Sequence, residues 1–183
     1  MTARDEELLA RAPTGPLHTT AYRNQPPGFD PRSGAGARRR GGRFNPPDSF
    51  PVLYLALSPA TAAAELHRGA EAMGLPTSAV LPRELYRYDV DLTTVLDLRD
   101  ETTRQALEVT IDELLAADRS RSTQLGAAAA ARGIQALICP SATGVGYVVA
   151  VFVENLGASR CEPHLVTTWT TETDVGSAEP HKR

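Results

Sequence analysis

Hydrophobic and polar positions alternate in short blocks along the chain, and most blocks are too short for long helices. LHTTAYRN, residues 17–24, mixes threonines with an aromatic residue and predicts a strand that Arg23 closes. FPVLYLAL, residues 50–57, is apolar at nearly every position, as a short, largely buried strand should be. Pro59 and Thr61 open a helix near 60–73, because proline is tolerated in a first turn, and Gly74 and Pro76 end it. Residues 84–98 alternate well enough for one or two strands. Asp100 or Thr102 would cap a helix running to about Ala116, whose apolar positions are loosely periodic. The polar run 117–122 is expected to be a loop, and an alanine-rich helix over Thr123–Arg132 is closed by Gly133. IQALICP reads as a buried strand, SATGVG as a turn, YVVAVFVEN as a strand and CEPHLVTTWTTE as a last strand at an edge.

Three segments lack such a pattern. Residues 1–16 are charged and end in Pro13 and Pro16, which fits a short helix or a loose arm. Residues 25–49 are rich in proline and glycine and read as one long loop, and loops of that length inside a compact domain are usually functional or disordered. The tail from Asp174 is expected to be mobile.

Several short strands with three helices between them exclude a doubly wound parallel sheet, which needs a helix at every crossover. The expected class is α+β: a compact mixed fold of two small β-sheets with flanking helices. At 183 residues the chain is expected to form a single domain over 1–183, with its core at about 17–170 and no internal repeat. The glycines of GAGARRRGG precede a strand rather than follow one, so they are not a dinucleotide-binding Rossmann fingerprint.

Charge narrows the function classes. With 19 basic and 22 acidic side chains the net charge is -3, against direct nucleic-acid binding. No apolar stretch reaches membrane-spanning length and the N-terminus lacks the apolar core of a signal peptide, so a cytoplasmic protein is expected. Cys139 and Cys161 are too few for a disulfide framework, and with four histidines they offer no metal-ligand spacing, so no metal is expected.

The basic residues are unevenly placed. Five arginines and no acid lie between Arg32 and Arg43, and Arg38, Arg39, Arg40 and Arg43 surround the pair Gly41-Gly42. Paired glycines expose backbone amides, and guanidinium groups donate paired hydrogen bonds to phosphate. Glu65 follows, the only acid between Asp48 and Glu71, placed among alanines early in the predicted helix. A lone carboxylate beyond a phosphate-friendly loop is a candidate catalytic group, although helix glutamates are often merely exposed.

The segments AYRN, GAGARRRGGRFNPP, VLYLALSPATAAAE and ALICPSA together resemble the RES domain, a bacterial toxin family, and in their NPP-x-x-FP continuation and late GVG its mycobacterial, NAD-degrading type. Phe44 stands where the family's glycine motif usually has tryptophan, and Asn24 where similar members have tyrosine. The resemblance implies an ADP-ribosyltransferase-like fold and a toxin of a toxin–antitoxin system that cleaves the nicotinamide–ribose bond of NAD+ with water or phosphate as acceptor. It implies NAD+ as substrate with no cofactor, inorganic phosphate as a possible co-substrate, and a cognate Xre-like antitoxin, with which the toxin would form a hetero-oligomer. Carried over residue by residue, Glu65, Arg43 and Ser122 are the catalytic candidates. Arg23, Asn24, Gly42, Arg43, Tyr54 and Ser141 are the NAD-binding candidates. Ser122 better matches the family's serine in distance from the glutamate, Ser141 in CPSA is the other candidate, and Ser122 also reads as a helix N-cap. In this reading Arg23 and Arg43 clamp the pyrophosphate, Tyr54 walls the nicotinamide and Glu65 steadies an oxocarbenium-like ribose. The alternatives are a protein mono-ADP-ribosyltransferase and a non-enzymatic module whose basic loop holds an acidic partner or nucleic acid.

Overall fold

The computed structural model describes residues 3–178. Six strands, β1 (Gly15–Gln25), β2 (Val52–Ala56), β3 (Arg83–Asp97), β4 (Ala136–Pro140), β5 (Tyr147–Phe152) and β6 (Arg160–Trp169), form a sheet in the order β1-β2-β5-β4-β3-β6. Where two small sheets were expected, the ladder is continuous, and the length of β3 is the reason. Arg83–Asp91 of β3 pair with β6, residues 84–95 also pair with β1, and Val95–Asp97 continue into β4. One bridge, Tyr22 with Ala56, ties β1 back to β2, so the strands from β1 round to β3 close on themselves. Only β3 and β4 run parallel, joined by the crossover that carries the helices α4–α6.

This curl explains the continuous apolar runs. Leu53, Leu55, Val90, Leu92, Ile138, Val149 and Val151 meet inside the sheet in a cluster built from strand residues. On the opposite face Val52, Leu96, Leu137, Ala150 and Phe152 pack with Phe44 and with the helical residues Leu114, Leu125 and Ala128. β2 and β4 are therefore buried on both faces, and their side chains need no alternation.

Helices are more numerous and shorter than the periodicity suggests. α1 (Ala3–Arg11) is the charged N-terminal segment, and its Leu9 reaches the core. The long loop 25–49 contains α2 (Ala35–Arg40). α3 (Pro59–Ala72) has Ser58 as N-cap, accepting from the Thr61 amide at 3.0 Å, with Pro59 in the first turn. The single helix expected over 100–116 is two, α4 (Glu101–Ala106) and α5 (Ile111–Leu115), separated where Glu108 takes φ 52° and Thr110 starts afresh with a capping box to Glu113. α6 (Ser120–Ala131) starts earlier than predicted and takes in Ser122. The segment expected to be mobile begins inside a short helix. α7 (Glu172–Gly176) is held by a Thr171–Asp174 capping box and buries Val175, while residues 179–183 lie outside the described residues. No helix among the described residues is long and apolar enough to cross a membrane.

Both cysteines are buried, and loss of solvation pushes each thiol up to about 12. At pH 8 the native protein should therefore consume no thiol reagent, and two equivalents should react after unfolding in guanidinium, as followed by absorbance. Rapid reaction of the native protein would show that the sheet opens far more readily than its packing implies.

Candidate active site

β1, the α2–β2 loop, β2 and α3 converge on a cavity of about 410 Å³. Glu65 enters it from α3, which buries Thr61, Ala62, Ala63, Leu66 and Ala70 and lends Ala62, Leu66 and Ala70 to the cavity lining as well. Arg68, three residues on, is its neighbour on the helix surface and also lines the cavity. Of the predicted site residues, Arg23, Asn24, Gly42, Arg43, Tyr54 and Glu65 all line this one space.

Ser141 and Ser122 separate clearly. The Ser141 hydroxyl, buried at the end of β4, donates to Glu65 Oε1 at 2.6 Å. Ser141 Oγ also lies 2.6 Å from Thr143 Oγ1, which accepts from the Val145 amide at 3.1 Å. With the Ser141 proton committed to Glu65, Thr143 must donate to Ser141. The turn SATGVG thus forms a chain of donors directed at the carboxylate. Ser122 does not reach the cavity. It is fully buried in the first turn of α6 and donates to the Arg119 carbonyl at 3.1 Å. Its neighbourhood nevertheless bears on the site, because Arg119 lines the cavity and Thr123 Oγ1 donates to the Arg43 carbonyl at 3.2 Å.

The glycine loop is built by close approach. The Tyr54 hydroxyl accepts from the Phe44 amide at 2.8 Å and donates to Asn45 Oδ1 at 2.8 Å. The Asn45 side-chain amide in turn donates to the Ala37 carbonyl at 2.9 Å. Burial raises the Tyr54 phenol well above its usual pKa and keeps it neutral. Tyr54 is therefore a strut as well as a wall. A Cβ on Gly42 would collide with its ring, and one on Gly126 of α6 would collide with the Phe44 carbonyl. Phe44 itself is fully buried in the core, the place the motif's larger aromatic residue would fill. Asn24 ties β1 to α3, donating to the Ala62 carbonyl at 3.0 Å.

The sequence reading assigned no ligand role to Arg40, Arg68, Arg83 or Arg119, which bring the lining to six arginines against the single acid Glu65. None of the six is ion-paired among the described residues, whereas Arg32, Arg87, Arg99 and Arg121 elsewhere each meet a carboxylate. Arg23 Nη1 and Arg83 Nε are buried with no hydrogen-bond partner. Burial and the charges of Arg119 and Arg68 lower the pKa of Arg43, whose guanidinium is anchored on the Leu114 and Ala116 carbonyls. Only the three basic residues in a row, Arg38–Arg40, hinted at this excess, and of them only Arg40 lines the cavity. Buried donors without acceptors and cations without counterions suit an anionic ligand.

The RES domain model matches residues 14–174. The chain belongs to the RES-domain family. It is 36% identical over 155 residues to the NAD(+) phosphorylase MbcT of Mycobacterium tuberculosis, which is 82% of this chain and 83% of that one, and equally to MbcT of Mycobacterium bovis. A chain in the crystal structure of the M. tuberculosis MbcT–MbcA toxin–antitoxin complex has the same mixed α+β fold, with a TM-score of 0.75 at 30% identity over 94% of each chain. Gly42 is explained here by close packing against Tyr54, and Tyr54 by that packing together with its two hydrogen bonds.

Two substitutions test that packing. Gly126→Ala should lower stability by about 1–3 kcal/mol, because the Phe44 carbonyl is backbone and must move. Tyr54→Phe strands the Phe44 amide and the buried Asn45 side chain and should cost about 1–3 kcal/mol. Urea unfolding midpoints at unchanged m-value measure both, and wild-type midpoints in either variant would show that the loop does not rest on these contacts.

Proposed function

We propose that the protein is the toxin of a toxin–antitoxin system and degrades NAD+ by phosphorolysis of the nicotinamide–ribose bond. The observation that carries this reading is Glu65, a single carboxylate held by Ser141 in a cavity otherwise lined with unpaired arginines. The similarity to MbcT, a NAD(+) phosphorylase, supports it. NAD+ offers what such a cavity needs: an anionic pyrophosphate for the guanidinium groups and, one ribose away, a sugar whose carbon becomes cationic as nicotinamide leaves.

In the reaction the C1–N bond of the nicotinamide ribose breaks, and its electron pair neutralises the pyridinium nitrogen. A phosphate oxygen supplies the pair for the new C1–O bond, giving nicotinamide and ADP-ribose 1-phosphate, with one proton lost to solvent from the hydrogen phosphate. Nicotinamide leaves neutral, so no strong general acid is needed. Glu65 stabilises the positive charge that grows on the ribose, with one oxygen fixed by Ser141 and the other left for the sugar. Arg23 and Arg43 belong to the group that holds the phosphates, and Asn24, Gly42 and Tyr54 shape the wall. Ser141 is assigned as the serine that positions the carboxylate, and Ser122 as a support for Arg119.

The same reading places the sheet with ADP-ribosyltransferase-like folds, since β3 divides it into a β1–β3–β6 half and a β2–β5–β4 half, with the cavity where β1 meets β2. It places the protein in the cytoplasm with NAD+, without a cofactor, and with a cognate antitoxin of the Xre-like type as its partner. The solved MbcT–MbcA toxin–antitoxin complex supports an antitoxin partner.

Purified protein incubated with NAD+ and phosphate should release nicotinamide and ADP-ribose 1-phosphate, identified by chromatography. Glu65→Gln should lower kcat/KM by about 10²–10³-fold while remaining folded by circular dichroism, as expected for loss of a charge aimed at the transition state. No nicotinamide from the wild type, with or without phosphate, would remove the reading. Transfer of label to a protein with little turnover of NAD+ alone would instead indicate ADP-ribosyl transfer.

A further inference from the structure

The six cavity arginines fall into two groups by what holds them. Arg43 and Arg119 are pinned to the same corner, α5–α6: Arg43 through the Leu114 and Ala116 carbonyls and the Thr123 hydroxyl, Arg119 through Ser122. Arg68 projects from α3 one turn beyond Glu65. Arg43 feels the charges of Arg119, Arg68 and Glu65. The second group lies on other elements, Arg40 at the last turn of α2, Arg83 at the first residue of β3 and Arg23 on β1, where its guanidinium also neighbours Tyr88 and Cys161. Arg83 senses Arg40 alone among charged groups. The two buried, unpartnered guanidinium nitrogens, Arg23 Nη1 and Arg83 Nε, both belong to this second group.

We propose that the cavity holds two anions at once, with Arg43, Arg68 and Arg119 forming the subsite for the inorganic phosphate acceptor beside Glu65, and Arg23, Arg40 and Arg83 gripping the pyrophosphate of the dinucleotide. The assignment rests on the phosphorolytic reading. The nucleophile must reach the ribose carbon that Glu65 faces, so its subsite must adjoin that carboxylate. The pyrophosphate is separated from that carbon by the rest of the ribose and its methylene, so it needs a second set of cations.

Charge also selects the acceptor. Three guanidinium groups and one carboxylate leave two positive charges around the reacting sugar. That field favours an anionic occupant over a neutral one. A hydrogen phosphate dianion cancels it, whereas water leaves it in place. The acceptor subsite therefore recruits phosphate in preference to water and delivers it as the nucleophile. Ser122 gains a role here as a positioning residue, since it fixes the backbone from which Arg119 extends.

Calorimetric titration with inorganic phosphate and, separately, with ADP-ribose tests this without relying on turnover. Arg119 is exposed and Arg83 half-buried, so Arg119→Ala and Arg83→Ala are expected to fold, with melting curves as the check and Arg68→Gln as a second variant of the acceptor group. Arg119→Ala should weaken phosphate about tenfold or more and ADP-ribose less than about threefold, and Arg83→Ala should do the reverse, as expected for loss of one charged hydrogen-bond donor. In turnover, Arg119→Ala should raise the KM for phosphate more than the KM for NAD+. Parallel weakening of both ligands in both variants, or no phosphate binding to the wild type, would falsify the division. A wild type that binds phosphate as stated yet releases no nicotinamide would leave the subsite standing and overturn only the phosphorylase reading.

Discussion

Gathering like charge is the constraint around which this molecule is arranged. Two like charges 4 Å apart repel by about 4 kcal/mol at an effective dielectric of about 20. A cavity lined by six guanidinium groups and one carboxylate must be held open against that repulsion by contacts elsewhere. The fold supplies them as backbone acceptors rather than as counter-charges. Arg43 is held by the carbonyls of Leu114 and Ala116, and the carbonyls of Arg43 and Arg119 are themselves held by Thr123 and Ser122. Each anchor fixes a position while leaving charge available to a ligand.

The carboxylate is treated in the same manner. Glu65 receives a hydroxyl from Ser141 instead of a salt bridge from the nearby arginines. An ion pair would have consumed the one negative charge of the cavity together with one of its positive charges, leaving neither for a ligand. The turn after β4 serves this end, because its hydroxyls and amides line up as donors toward one oxygen.

Small residues make these anchors geometrically possible. α6 lies against the Phe44 carbonyl only because position 126 is glycine, and the loop closes over Tyr54 only because position 42 is glycine. The buried Phe44 joins that loop to the core formed by Leu96, Leu125 and Phe152, so site and core are one packing unit. Stability and cavity shape are consequently coupled, and a change behind the loop is felt in the cavity.

The sequence by itself determined the apolar strands, the helix that begins at Pro59, the glycine–arginine loop and the carboxylate behind it. These are local signals, carried by side-chain periodicity, proline and glycine. It also placed Arg23, Asn24, Gly42, Arg43, Tyr54 and Glu65 together through family resemblance, and all of them line one cavity. Only the tertiary structure decided that β3 is long enough to join two half-sheets, that residues 100–116 form two helices, and that Arg68, Arg83 and Arg119 line the same cavity as Glu65. It also showed which serine reaches Glu65: Ser122 has the family's spacing, but Ser141 touches the carboxylate 76 residues away. The physical reason is that a hydrogen bond or a shared electrostatic field depends on distance in space. Nothing in the spacing of arginines along a chain records which of them will lack a counter-ion once the strands have paired.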